Sequence, residues 1–204
     1  MDTLTTDKIM QAYNTYGELI TFKFRKSKSK FIGNTYITYL REKYKVLGNL
    51  DIKNKYNQYN WFLIEFEDKT QVVVHGTVIC HKNIKNPNTP LLYGVGFMGQ
   101  GKYNSTINGK VTKEYKLWQE MLQRCYNPKY QETRLNYKGY TVDSRWHNFQ
   151  NFCEDIQHLE GYTEWKNNNN ISKYKYVFCK NKGNKIYSKD ACLFTTNIRI
   201  TGKT

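Results

Sequence analysis

Trp61-Phe62-Leu63-Ile64-Glu65-Phe66-Glu67-Asp68-Lys69-Thr70-Gln71-Val72-Val73-Val74 is the stretch on which the fold turns. A run of aromatic and β-branched residues, a short polar connection at Glu67-Asp68-Lys69 and a second β-branched run read as two strands of a hairpin. Toward the N-terminus, beyond a polar leader, Leu19-Ile20-Thr21-Phe22-Lys23-Phe24 nearly alternates, and Tyr44-Lys45-Val46-Leu47 supplies a further strand. Residues 15–80 therefore read as a small, strongly curved antiparallel sheet or barrel. His75 and His81 lie in or after this β-rich sequence and read as structural or exposed. Within it, Arg25-Lys26-Ser27-Lys28-Ser29-Lys30 reads as a loop ahead of Phe31-Ile32 and places four basic residues within six. Such a loop suits a phosphate backbone, to which it would give non-specific, salt-sensitive affinity. A solvated hairpin tip would have the same composition.

Toward the C-terminus, Asn86-Pro87-Asn88-Thr89-Pro90 breaks the strand pattern and holds two of the three prolines. It divides the chain into a basic β-rich module over residues 1–88 and a second module over 89–204. The segment behind it, Gly94-Val95-Gly96-Phe97-Met98-Gly99-Gln100-Gly101-Lys102, matches two phosphate-binding patterns superficially. The first fails because Tyr103 stands where a P-loop needs Ser or Thr. The second fails because the turn-rich Asn104-Ser105-Thr106-Ile107-Asn108-Gly109 follows where a helix must open. A flexible glycine linker that lets backbone pack closely is the better account. From the N-cap Thr112, residues 113–126 form the clearest helix, with Tyr115, Trp118, Leu122 and Cys125 at helical spacing up to Asn127-Pro128. Arg124, near its end, serves either the terminal carbonyls or a phosphate. Tyr137 to Val142 reads as a turn and short strand, and a second helix is expected from about Ser144 to Leu159. The tail offers strands at Lys173–Phe178 and Lys185–Tyr187 around a turn at Asn181–Asn184, with Ser188–Ala191 opening a final turn or helix. In the tail, Lys173, Lys175, Lys182 and Lys185 interleave with tyrosines, a pattern suited to phosphate neutralisation and base packing, and equally to a half-exposed hairpin.

Composition narrows the function classes. Thirty-two Lys and Arg against 17 Asp and Glu give a formal charge of +15, which favours an anionic partner and argues against mimicry of DNA. The excess sits at both ends: residues 1–60 carry 11 basic and 5 acidic side chains, and residues 161–204 carry 9 and 2. Apolar residues make up 39% of the chain and 18 residues are tyrosine, so a folded core is expected rather than disorder. No run approaches the length of a membrane span, and residues 1–20 lack the pattern of a secretory leader. Five cysteines without a CxxC pair fit free thiols in a reducing compartment better than a disulfide framework or a structural zinc. The expectation is a cytoplasmic α+β protein with no membrane partner.

Two longer phrases carry a resemblance. Trp118-x-x-Met121-x-x-Arg124-Cys125-Tyr126-Asn127, followed by Tyr137-x-Gly139-x-x-Val142-x-x-x-Trp146-His147-Asn148-Phe149-x-Asn151-Phe152, resembles the segment ahead of the ββα-metal core in phage HNH endonuclease-like proteins. Gly183-Asn184-Lys185-Ile186-Tyr187-Ser188-x-x-x-Cys192-x-Phe194 is similar to the core itself, and Tyr93-Gly94-Val95-Gly96-Phe97 with Gly99 and Gly101 is also familiar from phage versions. The resemblance spans residues 93–194 and implies an HNH-like helix and β-hairpin module that binds DNA. In active members it also implies a divalent metal, held by carboxylate, His or Asn ligands, that cuts the phosphodiester. Here the chain departs from the family. No carboxylate occurs from Lys166 to Ser188. Lys189 replaces the proline after Tyr187-Ser188, and Asn197 is the nearest candidate for the terminal Asn. His147 and Asp190 are the weak candidates for a relocated catalytic site, with Asp143 and His158 nearby in sequence.

The resemblance and the charge together imply a DNA-binding protein on a degenerate HNH-like scaffold that does not cleave. Arg25, Lys26, Lys28, Lys30, Arg124, Lys173, Lys175, Lys182 and Lys185 would be its contacts, and it would have no metal or other cofactor. Phage proteins of this class act in host takeover, for example on promoter DNA with host RNA polymerase or its sigma factor. Two alternatives remain: an active HNH endonuclease using Mg or Mn, and a protein-interaction inhibitor of a host complex.

Overall fold

In the computed structural model, residues 8–53, 56–167, 176–181 and 183–196 are described. They form an α+β fold with an N-terminal β-module. The chain divides into two units, one running through Thr89 and taking in Gln100–Lys102, the other comprising Pro90–Gly99 and the residues from Tyr103 on.

The first unit opens with the antiparallel hairpin β1 (Met10–Tyr13) and β2 (Leu19–Phe22). It continues into an antiparallel sheet ordered β3-β4-β5-β6, built from β3 (Thr35–Ile37), β4 (Lys43–Asn49), β5 (Trp61–Phe66) and β6 (Gln71–His75). The module is thus a four-stranded antiparallel sheet with a hairpin joined to it by isolated bridges, one between Asn14 and Val73 and one between Phe24 and Leu50. Successive side chains of a strand point to opposite faces, and both faces are used here. Phe62, Ile64, Phe66, Val72 and Val74 pack on one side with Tyr44, Val46, Ile79 and Ile84. Leu63 and Val73 pack on the other with Ala12, Phe22, Phe24 and Leu50, so the hairpin covers that face. Two elements are invisible to simple alternation. β1 lies in the polar leader, and α1 (Gly76–His81) follows β6 directly because the His75 side chain caps it through the Thr77 N–H.

The second unit begins with Pro90–Gly99, whose Val95 and Met98 pack on its core, so this part of the glycine segment is not a flexible linker. It leads into the hairpin β7 (Thr106–Ile107) and β8 (Lys110–Val111), then into α2 (Lys113–Tyr126) with Thr112 as N-cap, as its spacing predicts. Asn127 ends α2 and caps a further helix, α3 (Pro128–Thr133), with Pro128 in its first turn, where the missing N–H costs nothing. β9 (Thr141–Val142) follows a single 3-10 turn.

The helix expected over 144–159 is interrupted. Ser144–His147 is a 3-10 turn, and α4 (Phe149–Ile156) starts afresh from Asn148, whose side chain accepts the Gln150 N–H. Phe97 occupies the break. Its N–H donates to His147 O at 2.9 Å, and its carbonyl accepts the Phe149 N–H at 3.0 Å. Gly99, at φ +68°, leaves room for the Asn148 amide that a Cβ would overlap. After α5 (Tyr162–Asn167), β10 (Tyr176–Lys180) pairs with β12 (Cys192–Thr196). β11 (Ile186–Tyr187) leaves that hairpin and pairs in parallel with β9. Ser188–Ala191 is a turn leading to β12, not a helix. No helix of the described residues is long and apolar enough to cross a membrane.

The core of the second unit is aromatic, with Trp118, Trp146, Phe149, Phe152 and Phe194 almost wholly buried. Both indole N–H groups find acceptors: Trp118 Nε1 donates to Trp146 O at 2.7 Å, and Trp146 Nε1 donates to Asp155 Oδ2 at 2.9 Å. Arg145 closes the chain with two bonds to Asp155, at 2.7 and 3.2 Å. Burial raises the pKa of Asp155, but these donors outweigh it and hold the carboxyl below its ordinary value. Arg145 is half-exposed and can turn to water, so Asp155→Asn should cost about 2 kcal/mol in urea unfolding at neutral pH. Because the folded pKa is depressed, this contribution is complete above the unfolded value, near pH 4, and is lost as pH falls through the folded one. The gap between wild type and variant should therefore close in acid.

Candidate nucleic-acid interface

Lys23-Phe24-Arg25 continues beyond β2 in extended form beside the end of β4. Arg25 N–H donates to Asn49 O at 3.0 Å and Asp51 N–H to Lys23 O at 2.9 Å. Alternation then turns Phe24 into the core and Lys23 and Arg25 outward. The chain re-enters the core at Phe31, whose ring meets Phe62 edge-on at 5.4 Å. Ser27 and Ser29 shape the intervening segment, accepting the Ser29 N–H at 3.2 Å and the Phe31 N–H at 3.4 Å. The basic loop is therefore fastened at one end by the buried Phe24 and at the other by the partly buried Phe31.

Arg25, Lys26, Lys28 and Lys30 are all exposed on this loop, and none makes an ion pair among the described residues. A phosphate would not have to break a salt bridge to reach them. The Arg25 guanidinium lies 4.0 Å from the centroid of the Tyr59 ring, and Lys53 Nζ lies 5.2 Å from it. Lys53 and Tyr59 face each other in an antiparallel bridge, and Asn49 Nδ2 donates to Tyr59 O at 3.4 Å and to Trp61 O at 3.0 Å. Lys53 and Tyr59 thus extend the loop into a cationic, aromatic surface. Sequence reasoning missed both, since neither stands in a basic run, and only the strand pairing brings them to Arg25.

The second unit treats its expected contacts differently. Arg124 is largely covered, with 22% of its side chain exposed; its Nη2 lies 3.4 Å from Glu120, and its guanidinium 5.9 Å from the Tyr137 ring. Burial opposes its charge, but the neighbouring Tyr187, Tyr137 and Glu120 more than compensate and raise its pKa. The guanidinium is engaged inside an aromatic cluster, where Lys180 Nζ also sits 4.1 Å over the Tyr140 ring. Lys185 is exposed at the start of β11, its carbonyl accepting the Thr141 N–H at 3.0 Å. Lys173, Lys175, Lys182 and Asn197 lie outside the described residues.

Of the catalytic candidates, His147 and Asp143 lie close enough to interact. His147 is half-buried, with Nε2 3.0 Å from Tyr126 Oη, which also accepts the Val142 N–H at 3.0 Å. Burial lowers the His147 pKa against the pull of Asp143, so the ring is neutral at pH 7. Asp190 is exposed in the turn before β12, Asp143 caps the 3-10 turn, and His158 is exposed beyond α4. Among the described residues no group of three His, Cys, Asp or Glu side chains could hold a metal ion. Outside them the chain adds only Asp2 and Asp7 to that inventory. All five cysteines are free thiols, and burial pushes Cys125 and Cys192 up to about 12, keeping them protonated.

No protein-family model, curated protein or solved structure matches the chain.

If the loop lies on phosphates, replacing Arg25, Lys26, Lys28 and Lys30 together by alanine should weaken duplex DNA binding. It should also flatten the slope of log K against log salt by about 3 to 4. Electrophoretic or anisotropy titrations at several salt concentrations read both quantities. The side chains are exposed and make no ion pair among the described residues, so thermal unfolding of the variant should stay close to wild type, lowered only by the loss of the Arg25 contact with Tyr59.

Proposed function

We propose that the protein binds DNA and does not cleave it, acting by occupancy. The observation that carries this reading is the loop from Arg25 to Lys30. Four cations there are exposed, make no ion pair among the described residues and lie between the buried Phe24 and the partly buried Phe31, with Tyr59 and Lys53 beside them. Its purpose is hard to place in folding, because like charges so close repel one another and gain nothing from the core. The overall charge of +15 supports the same partner.

The resemblance of residues 93–194 to phage HNH endonuclease-like proteins supplies a scaffold with a DNA-binding ancestry for the second unit. The lack of a three-ligand group among the described residues, and the missing carboxylates from Lys166 to Ser188, support a member that has lost its metal site. A non-cleaving DNA binder in host takeover would act on promoter DNA, with host RNA polymerase or its sigma factor as the machinery affected.

Supercoiled plasmid incubated with the protein and Mg or Mn, run directly and after deproteinisation, tests this. The expected result is a mobility shift that vanishes on deproteinisation and leaves the plasmid intact, unchanged by His147→Ala or Asp190→Asn. Nicked or linear product removed by either substitution would overturn it in favour of a working endonuclease. No shift at all would favour a protein-interaction inhibitor.

A further inference from the structure

The six residues from Thr106 to Val111 are exposed without exception, yet two of them are apolar: Ile107 is 58% exposed and Val111 61%. They form the ribbon β7–β8, turned by Asn108 and Gly109 in left-handed conformation at φ 50° and 74°. Paired residues share a face, so Thr106 stands beside Val111 on one side and Ile107 beside Lys110 on the other. Exposed aliphatic side chains contribute nothing to the core, and a two-stranded ribbon alone is marginally stable in water.

The ribbon is nevertheless firmly mounted. Gln150, buried on α4, accepts the Tyr103 N–H at 2.9 Å and donates to Tyr103 O at 2.9 Å and Met98 O at 3.2 Å. On the other side Thr112 donates its N–H to Ser105 O at 2.9 Å and its hydroxyl to Asn104 O at 3.2 Å, while capping α2. Both ends of the ribbon are thus fixed to helices while its tip projects.

Its own stretch of chain is mainly cationic, although the exposed Glu154 on α4 accepts from Tyr103 Oη at 2.6 Å near its base. Between Tyr103 and Lys116 the chain carries Lys110, Lys113 and Lys116 and a single carboxylate, Glu114. Glu114 is buried and occupied, accepting from Tyr162 Oη at 2.8 Å and paired with Lys166. The surface offered outward is cationic with two aliphatic side chains on a narrow ribbon.

We propose that β7–β8 enters the major groove of duplex DNA. Paired strands lie about 5 Å apart, and the groove, about 12 Å wide, admits a two-stranded ribbon. Ile107 or Val111 meets thymine methyl groups there, Asn108 reaches a base edge and Lys110 a phosphate. The inference rests on the DNA-binding reading and adds the element that approaches the bases. None of these residues belongs to the basic loop.

Dimethyl sulfate footprinting of a short random-sequence duplex tests it, because the reagent methylates guanine N7 in the major groove and adenine N3 in the minor groove. Saturating wild-type protein should protect guanine N7. The double variant Ile107→Ser, Lys110→Ser should bind about tenfold more weakly through its remaining contacts and lose that protection at saturation. Thermal unfolding of the variant should stay at the wild-type value, as both side chains are exposed. Binding with adenine N3 protection alone, or guanine protection unchanged in the variant, would overturn the ribbon's role and leave DNA binding standing. Absence of binding by the wild-type protein would overturn both.

Discussion

The indole of Trp146 must find a hydrogen-bond acceptor in a place from which water is excluded, and Asp155 supplies it. Leaving a buried N–H unpaired costs 1–3 kcal/mol on the order of a whole hydrogen bond, so this contact constrains everything around it. Because the acceptor is a carboxylate, it needs its own compensation, which Arg145 gives from the 3-10 turn. Because the Trp146 carbonyl is taken by Trp118 Nε1, α2 is fixed against the same turn. The 3-10 turn, α4 and the more distant α2 are locked by a single chain of polar bonds running through an aromatic core. Phe97 then fits the gap between the turn and α4, which brings the glycine segment onto that core and sets the course of the chain toward β7 and β8.

The two units handle charge in opposite ways. In the second unit, carboxylates that enter the interior are matched: Asp155 by Arg145, and Glu114 by Lys166 and Tyr162. Arg124 is likewise drawn into contact with Glu120 and a group of tyrosines. These pairs specify how helices and strands meet. The cations of the first unit's loop have no carboxylate partner among the described residues, Arg25 lying instead over the Tyr59 ring, and the loop is flanked by Phe24 and Phe31. Charge that is matched serves the fold, whereas unmatched charge on a fastened loop is left for a partner. This distinction separates Arg124 from Arg25, which composition alone treats as equivalent.

Much of the architecture was legible from side-chain patterning. Trp61 to Val74 announced its hairpin because most residues of both strands are buried and a three-residue polar connection leaves little choice of geometry. Thr112 and Asn127 bounded α2 because capping is a local property of one side chain and the backbone next to it. The second helix was misread as continuous because Trp146, Phe149, Phe152 and Ile156 keep helical spacing across a break made by a distant residue, Phe97. α1 and β1 were missed for a similar reason: six helical residues capped by a histidine side chain, and four strand residues with a polar pattern, are stabilised by packing on β6 and β2 and not by their own propensities.

For the candidate interface, the sequence by itself determined the cationic loop, the net positive charge and the lack of carboxylates across Lys166 to Ser188, because these are properties of composition that folding cannot alter. Only the tertiary structure decided which cations are free. It brought Lys53 and Tyr59 to Arg25 through strand pairing, took Arg124 into an aromatic cluster, kept the catalytic candidates from gathering three metal ligands, and left Ile107 and Val111 on a mounted ribbon outside the core. The physical reason is that availability for binding is set by what else a side chain touches, and those contacts join residues far apart in the chain.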